Sequence, residues 1–134
     1  MWIFSTQGFY SIVQCGEDSR LVEVESSSRQ DLERLFALAS EETAMLDIVP
    51  PSAADQPYQV TMTKELWAKL SAALVSDVTY TDFEKKFQRV FPSEYSRIGA
   101  LVTIEQVIRH LSKELNASAH THVMPQRLAS MADF

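Results

Sequence analysis

The first fourteen residues, Met1-Trp-Ile-Phe-Ser-Thr-Gln-Gly-Phe-Tyr-Ser-Ile-Val-Gln14, constrain the fold more than any other stretch of this chain. Two aromatic and β-branched runs flank Thr6-Gln7-Gly8, the pattern of a β-hairpin whose turn takes its backbone freedom from Gly8. A chain that enters a strand at its first methionine leaves no room for a signal or transit peptide, so none is expected.

The period-2 pattern continues. After the polar turn Cys15-Gly16-Glu17-Asp18-Ser19, residues 21–25 alternate apolar and acidic, as in a strand with one wet face. Connections this short make the first three strands antiparallel. Residues 45–49 read as a fourth strand, ended by Pro50-Pro51, and residues 58–62 as a fifth. The helical periods lie elsewhere. Ser28-x-x-Asp31 reads as a capping-box variant ahead of the stripe Leu32, Leu35, Phe36 and Ala39. Thr63 is a good N-cap for a helix with Leu66, Trp67, Leu70 and Leu74 on one side. Thr81-Asp-Phe-Glu84 reads as a capping box for Phe83, Phe87 and Val90, and Pro92 stops that helix. A further capping box, Thr103-Ile-Glu-Gln106, precedes the stripe Ile104, Val107, Ile108, Leu111 and Leu115. Residues 93–115 form either one helix or two joined near Gly99. Beyond Asn116 the period is lost and Pro125 intervenes, which predicts a mobile or loosely docked tail over 116–134.

The order β-β-β-α-β-β-α-α-α predicts an α+β class: a mostly antiparallel sheet of about five strands with helices on one face. The 134 residues and 46% hydrophobic content suit a single domain over 1–115, with 103–115 as an amphipathic helical extension. No apolar run reaches the roughly 18 residues of a membrane helix. The single cysteine, Cys15, rules out an internal disulfide, and a soluble cytoplasmic protein is expected.

The net charge of −6 is unevenly placed. Residues 1–60 hold ten acidic and three basic side chains, and the remainder is close to neutral. Phosphate contacts to nucleic acid want the opposite sign, so direct nucleic-acid binding is not expected. An acidic half suits a solvated, solubilising surface, or a partner protein with a basic surface.

The opening Met-Trp-Ile-Phe-Ser, followed by Gly-Phe-Tyr-Ser-Ile-Val, resembles that of a set of small bacterial proteins of no assigned activity. They begin Met-Trp-[aliphatic]-x-[Ser/Thr] and continue Gly-Phe-x-Ser-[Val/Ile]-Val. Later segments are similar too: Asp31-Leu32-Glu33, the loop from Pro50 to Tyr58, and Tyr80-Thr81-Asp82-Phe83. The likeness covers about residues 1–100 and departs at Glu84, where the pattern carries Lys. It implies a shared fold and supplies no mechanism.

The chemistry-bearing residues are sparse. Cys15 lacks a neighbouring base in sequence, since His110, His120 and His122 all lie near the C-terminus. His120-x-His122 with His110 makes only a weak metal motif. Asp47, Asp55, Asp77 and Asp82 sit at strand ends, loops and caps without diagnostic spacing. Gly8, Gly16 and Gly99 form no phosphate loop. Neither a cofactor nor a metal is expected. Of the aromatics Trp2, Phe4, Phe9 and Tyr10, three are expected in the core and one outside.

These features point to a small acidic protein-interaction or regulatory module. One alternative is a nucleic-acid-mimicking inhibitor of a DNA-binding complex, of the phage counter-defence type, with Glu17, Asp18, Glu23, Glu25, Glu41 and Glu42 standing in for phosphates. Another is a small hydrolase or transferase built on the carboxylates. The candidate partner-binding residues are Glu17, Asp18, Glu23, Glu25, Ile104, Ile108 and Leu111. The last three belong to a stripe that either closes onto the domain or mediates a homodimer or the docking of a partner.

Overall fold

In the computed structural model, which describes residues 1–121, the chain is α+β. Its elements are β1 (Trp2–Phe4), β2 (Phe9–Cys15), β3 (Asp18–Ser26), α1 (Arg29–Ala37), α2 (Ser40–Thr43), β4 (Tyr58–Thr63), α3 (Lys64–Ser76), α4 (Phe83–Val90) and α5 (Tyr95–Thr121). The sheet has four strands in the order β1-β2-β3-β4, antiparallel throughout.

The expected strand over 45–49 shrinks to a single bridge. Val49 and Gln59 exchange both backbone hydrogen bonds, at 2.7 and 3.1 Å, and the pairing goes no further. On one side of Val49, Pro50 and Pro51 have no N–H to donate. On the other, Leu46 N–H donates to Thr43 O at 3.0 Å, which turns the chain back toward the short helix α2.

Register assigns the side chains to faces. Tyr10, Ile12, Val22, Val24, Val60 and Met62 point to one side of the sheet and are buried against Leu32 and Leu35 of α1 and Trp67, Leu70 and Leu74 of α3. The alternate residues Phe9, Ser11, Val13, Glu23, Glu25, Gln59 and Thr61 point to the other side. Helices do not occupy the first face alone. Phe87 of α4 is fully buried and stacks on Phe9 with ring centroids 5.5 Å apart, so α4 covers one corner of the second face. Phe4 meets the same Phe9 ring edge-on at 5.0 Å. This long-range aromatic pairing has no signature in the local period of α4.

Two of the expected caps depart from the pattern. Ser28 does occupy the N-cap of α1, but its side chain makes no capping bond, and Asp31 turns inward to 1% exposure. The cap of α4 is Asp82, whose Oδ1 accepts from Lys85 N–H at 3.1 Å, rather than Thr81. Thr63 caps α3 as its sequence predicts, accepting from Leu66 N–H at 3.1 Å.

The chain divides into two compact units, Met1–Val90 and a second beginning at Phe91, where the sequence reading draws one domain over 1–115. In the second unit, residues 95–121 form one continuous helix. Thr103 therefore caps nothing. Its hydroxyl donates to Gly99 O one turn back at 3.0 Å, a bond that helix interiors accommodate. The helix runs past Asn116 to Thr121, and the rest of the expected tail lies outside the described residues. Among the described residues, no helix is long and apolar enough to cross a membrane.

Candidate functional site: an acidic, aromatic cleft on the open sheet face

The β1–β2 turn is built to hold its shape. Ser5 Oγ accepts from the N–H groups of Gln7 and Gly8, each at 3.2 Å, and donates to Gly8 O at 3.0 Å. Two distant carboxylates then anchor the turn from outside. Asp77, at the C-cap of α3, accepts from Gln7 Nε2 at 2.9 Å and Thr6 Oγ1 at 3.2 Å. Asp31 accepts from Phe9 N–H at 3.0 Å and Arg34 Nη2 at 2.9 Å, and Arg34 Nε donates to Gln7 O at 2.9 Å. The Tyr10 hydroxyl adds a bond to Asp31 O at 2.7 Å. A buried carboxylate is tolerable only with partners of this kind. Here they fix β1 against β2, and so fix where Trp2 stands.

That placement creates a row across the open face. Trp2 is in register with Ser11, Ser11 with Glu25, and Glu25 with Gln59. Neighbouring strands lie about 4.8 Å apart, so β1 and β3 are separated by about 10 Å across Ser11. The indole of Trp2 is 71% exposed, unusual for so large an apolar ring. Glu25 is half-buried, and its Oε1 accepts from Gln59 Nε2 at 3.1 Å. Residues 54–57, from the loop before β4, close one end of the row. The result is a cleft of about 370 Å³ lined by Trp2, Ser11, Glu25, Ser27, Asp55 and Gln56 among others. Two carboxylates and an indole line it, and no Lys, Arg or His does among the described residues. Such a set favours a positive charge.

The other sequence candidates are dispersed. Glu17 is exposed at the β2–β3 turn, where Gly16 takes a φ of +57°. Asp18 beside it is held by Arg20 at 3.1 Å, and that hydrogen bond lowers its carboxyl below the ordinary value. Glu23 shares the open face with Glu25, between Val13 and Thr61. Glu41 and Glu42 lie on α2, and Glu42 is paired with Lys69. Four of the six carboxylates thus lie on the β2–β3 turn and β3 and two on α2, and at least two of the six are already paired with cations. Ile108, Leu111 and Leu115 are 56%, 50% and 60% exposed along α5, while Ile104 is half-buried.

Cys15 is half-buried at the end of β2, opposite Asp18 in register. His110 pairs with Glu114 at 3.1 Å on exposed helix surface. No cluster of three metal-ligating residues occurs among the described residues, and the His120 side chain and His122 lie outside them. Sequence reading missed Trp2 and Asp55 as neighbours of Glu25. The alternation in β2 and β3 places Ser11 and Glu25 on wet faces, but only the strand register brings Trp2 into line with them.

Comparison with family models, with curated proteins and with solved structures returned no match.

Proposed function

We propose that this chain is a cytoplasmic protein-interaction module that presents the open face of its sheet to a basic segment of a partner protein. The observation that carries the reading is the row Trp2–Ser11–Glu25, with Glu23 one step along β3 on the same face. An exposed indole beside half-buried carboxylates is the composition of an interface anchor, since aromatic rings supply contact area at low entropic cost and charges set partner choice. The reading is preferred to a phosphate mimic because the acidic side chains are split among separate elements. It is preferred to a hydrolase because Glu25, the half-buried carboxylate of the cleft, spends Oε1 on Gln59 Nε2 rather than on one of the cleft's hydroxyls. The likeness to small bacterial proteins that open Met-Trp-[aliphatic] is kept as part of this proposal, because the residues it shares include Trp2 and Ser11.

Calorimetric titration with octa-arginine at low and high salt tests the reading. Saturable binding that weakens with salt and falls in Glu23→Gln/Glu25→Gln supports it. Indifference of the binding to that double substitution contradicts it.

A second reading, self-association through α5, is favoured by the exposure of Ile108, Leu111 and Leu115 on one stripe of that helix. The two readings rest on different residues.

A further inference from the structure

The cleft admits a more specific assignment than a basic surface. Its walls are the Trp2 indole on β1 and the Glu25 carboxylate on β3, and its floor is Ser11 on the strand between them. A gap of about 10 Å between the wall strands leaves room for one side chain lying over Ser11. Asp55 brings a second carboxylate at the end formed by the loop. Glu25 uses Oε1 to accept from Gln59, which orients the group and leaves Oε2 for a ligand.

We propose that this slot receives a single arginine side chain of the partner protein. The assignment rests on reading the open face as a protein-binding surface. A flat guanidinium stacks on an indole and at the same time donates in its own plane to carboxylates at its edge. The slot offers both features: a ring on one wall and acceptors on the other wall and at the end. A lysine ammonium satisfies the carboxylates but has no planar face to set against Trp2, so it binds less well. A neutral isostere loses the charge term altogether.

The test titrates the full chain with Nα-acetyl-arginine amide, Nα-acetyl-lysine amide and Nα-acetyl-citrulline amide, and separately with octa-arginine. Tryptophan fluorescence is the first readout, because Trp67 is buried at 6% exposure and Trp2 is the ring a ligand reaches. Backbone amide NMR shifts are the second. The arginine amide is expected to perturb Trp2 fluorescence saturably and to shift the amides of Trp2, Ser11, Glu25 and Asp55. Citrulline is expected to give no saturable change and lysine a weaker one. Trp2→Ala and Asp55→Asn alter exposed side chains, so both variants are expected to fold with unchanged NMR dispersion. Trp2→Ala should weaken the arginine amide by about two- to fivefold, the range of an exposed cation–π contact.

Equal response to arginine and citrulline overturns the assignment, as does equal affinity for arginine and lysine. If octa-arginine binds and Glu23→Gln weakens it while Trp2→Ala and Asp55→Asn do not, the slot is wrong and the broader reading of the face stands. If octa-arginine does not bind even at low salt, both fall.

Discussion

Gly8 and Asp31 are in such close contact that a Cβ built on Gly8 would stand 2.5 Å from Asp31 Cγ and 2.6 Å from its Oδ2. The turn between β1 and β2 therefore requires glycine because of what lies opposite it, a buried carboxylate held by several hydrogen bonds. Gly8→Ala should destabilise the protein by about 1–3 kcal/mol, the usual cost of forcing extra volume into a packed site. Urea denaturation followed by circular dichroism measures this. A change below about 0.5 kcal/mol, the scatter of surface substitutions, would mean that Asp31 yields without loss.

Removing the carboxylate itself should cost more. Asp31→Ala leaves the Phe9 N–H without this acceptor and Arg34 without its 2.9 Å partner, and the expected loss is about 3 kcal/mol or more. Asp31→Asn keeps an acceptor for Phe9 and should lose less. The denaturation midpoints should rank wild type, Asn, Ala. An Asn variant as unstable as Ala would show that charge, rather than hydrogen-bond acceptance, dominates at this position.

The same aspartate shows how far sequence reading reaches. Periodicity located the first hairpin, the alternating strand β3 and the stripes of α1, α3 and α4, because those patterns are written within a single turn or pleat. Asp31 fits the capping-box pattern equally well, and a local rule places it at the helix end. It is instead taken up by the turn 22 residues earlier, a competition that no window of neighbouring residues records. Thr103 fails for a related reason. A Thr-x-x-Gln pattern marks a cap only where the preceding residues are not helical, and Gly99 is tolerated inside α5. The candidate site was half legible. Glu23 and Glu25 stand out by alternation, but Trp2 joins them only through the pairing of β1 with β2 and β2 with β3. The bridge at Val49, in place of a strand, follows from Pro50 and Pro51, whose effect on the residues before them sequence reading underestimated.

Glu42 gives a pH-dependent signature. The hydrogen bond from Lys69 is the main cause that holds its carboxyl below the ordinary value of 4.5. With the folded value depressed, the stabilisation from this pair is present above the unfolded value and is lost as pH falls through the folded one. Its contribution is small, because both side chains are largely exposed. An NMR titration of the Glu42 side-chain carbons should therefore show a midpoint below an ordinary glutamate. In Lys69→Met the midpoint should return toward 4.5. An unchanged midpoint in that variant would remove Lys69 as the cause.

The α5 stripe makes a prediction about association. Leu111 is half exposed, between Ile108 and Leu115 on the same side of the helix. Light scattering at high micromolar concentration should find a dimer for wild type and a folded monomer for Leu111→Glu. A monomeric wild type would rule out self-association, and an unfolded variant would place the stripe within the core.

The central claim is that the open sheet face, through Trp2, Ser11, Glu23 and Glu25, is the surface this protein offers to a basic partner. The most direct measurement is residue-resolved amide NMR of the full chain during titration with octa-arginine. The account predicts that shifts concentrate on residues 2, 11, 23 and 25 and on residues 54–56, that they saturate, and that they shrink as salt is raised. Shifts confined to Glu17 and Glu41 or to α5, with residues 2, 11 and 25 unmoved, would contradict it.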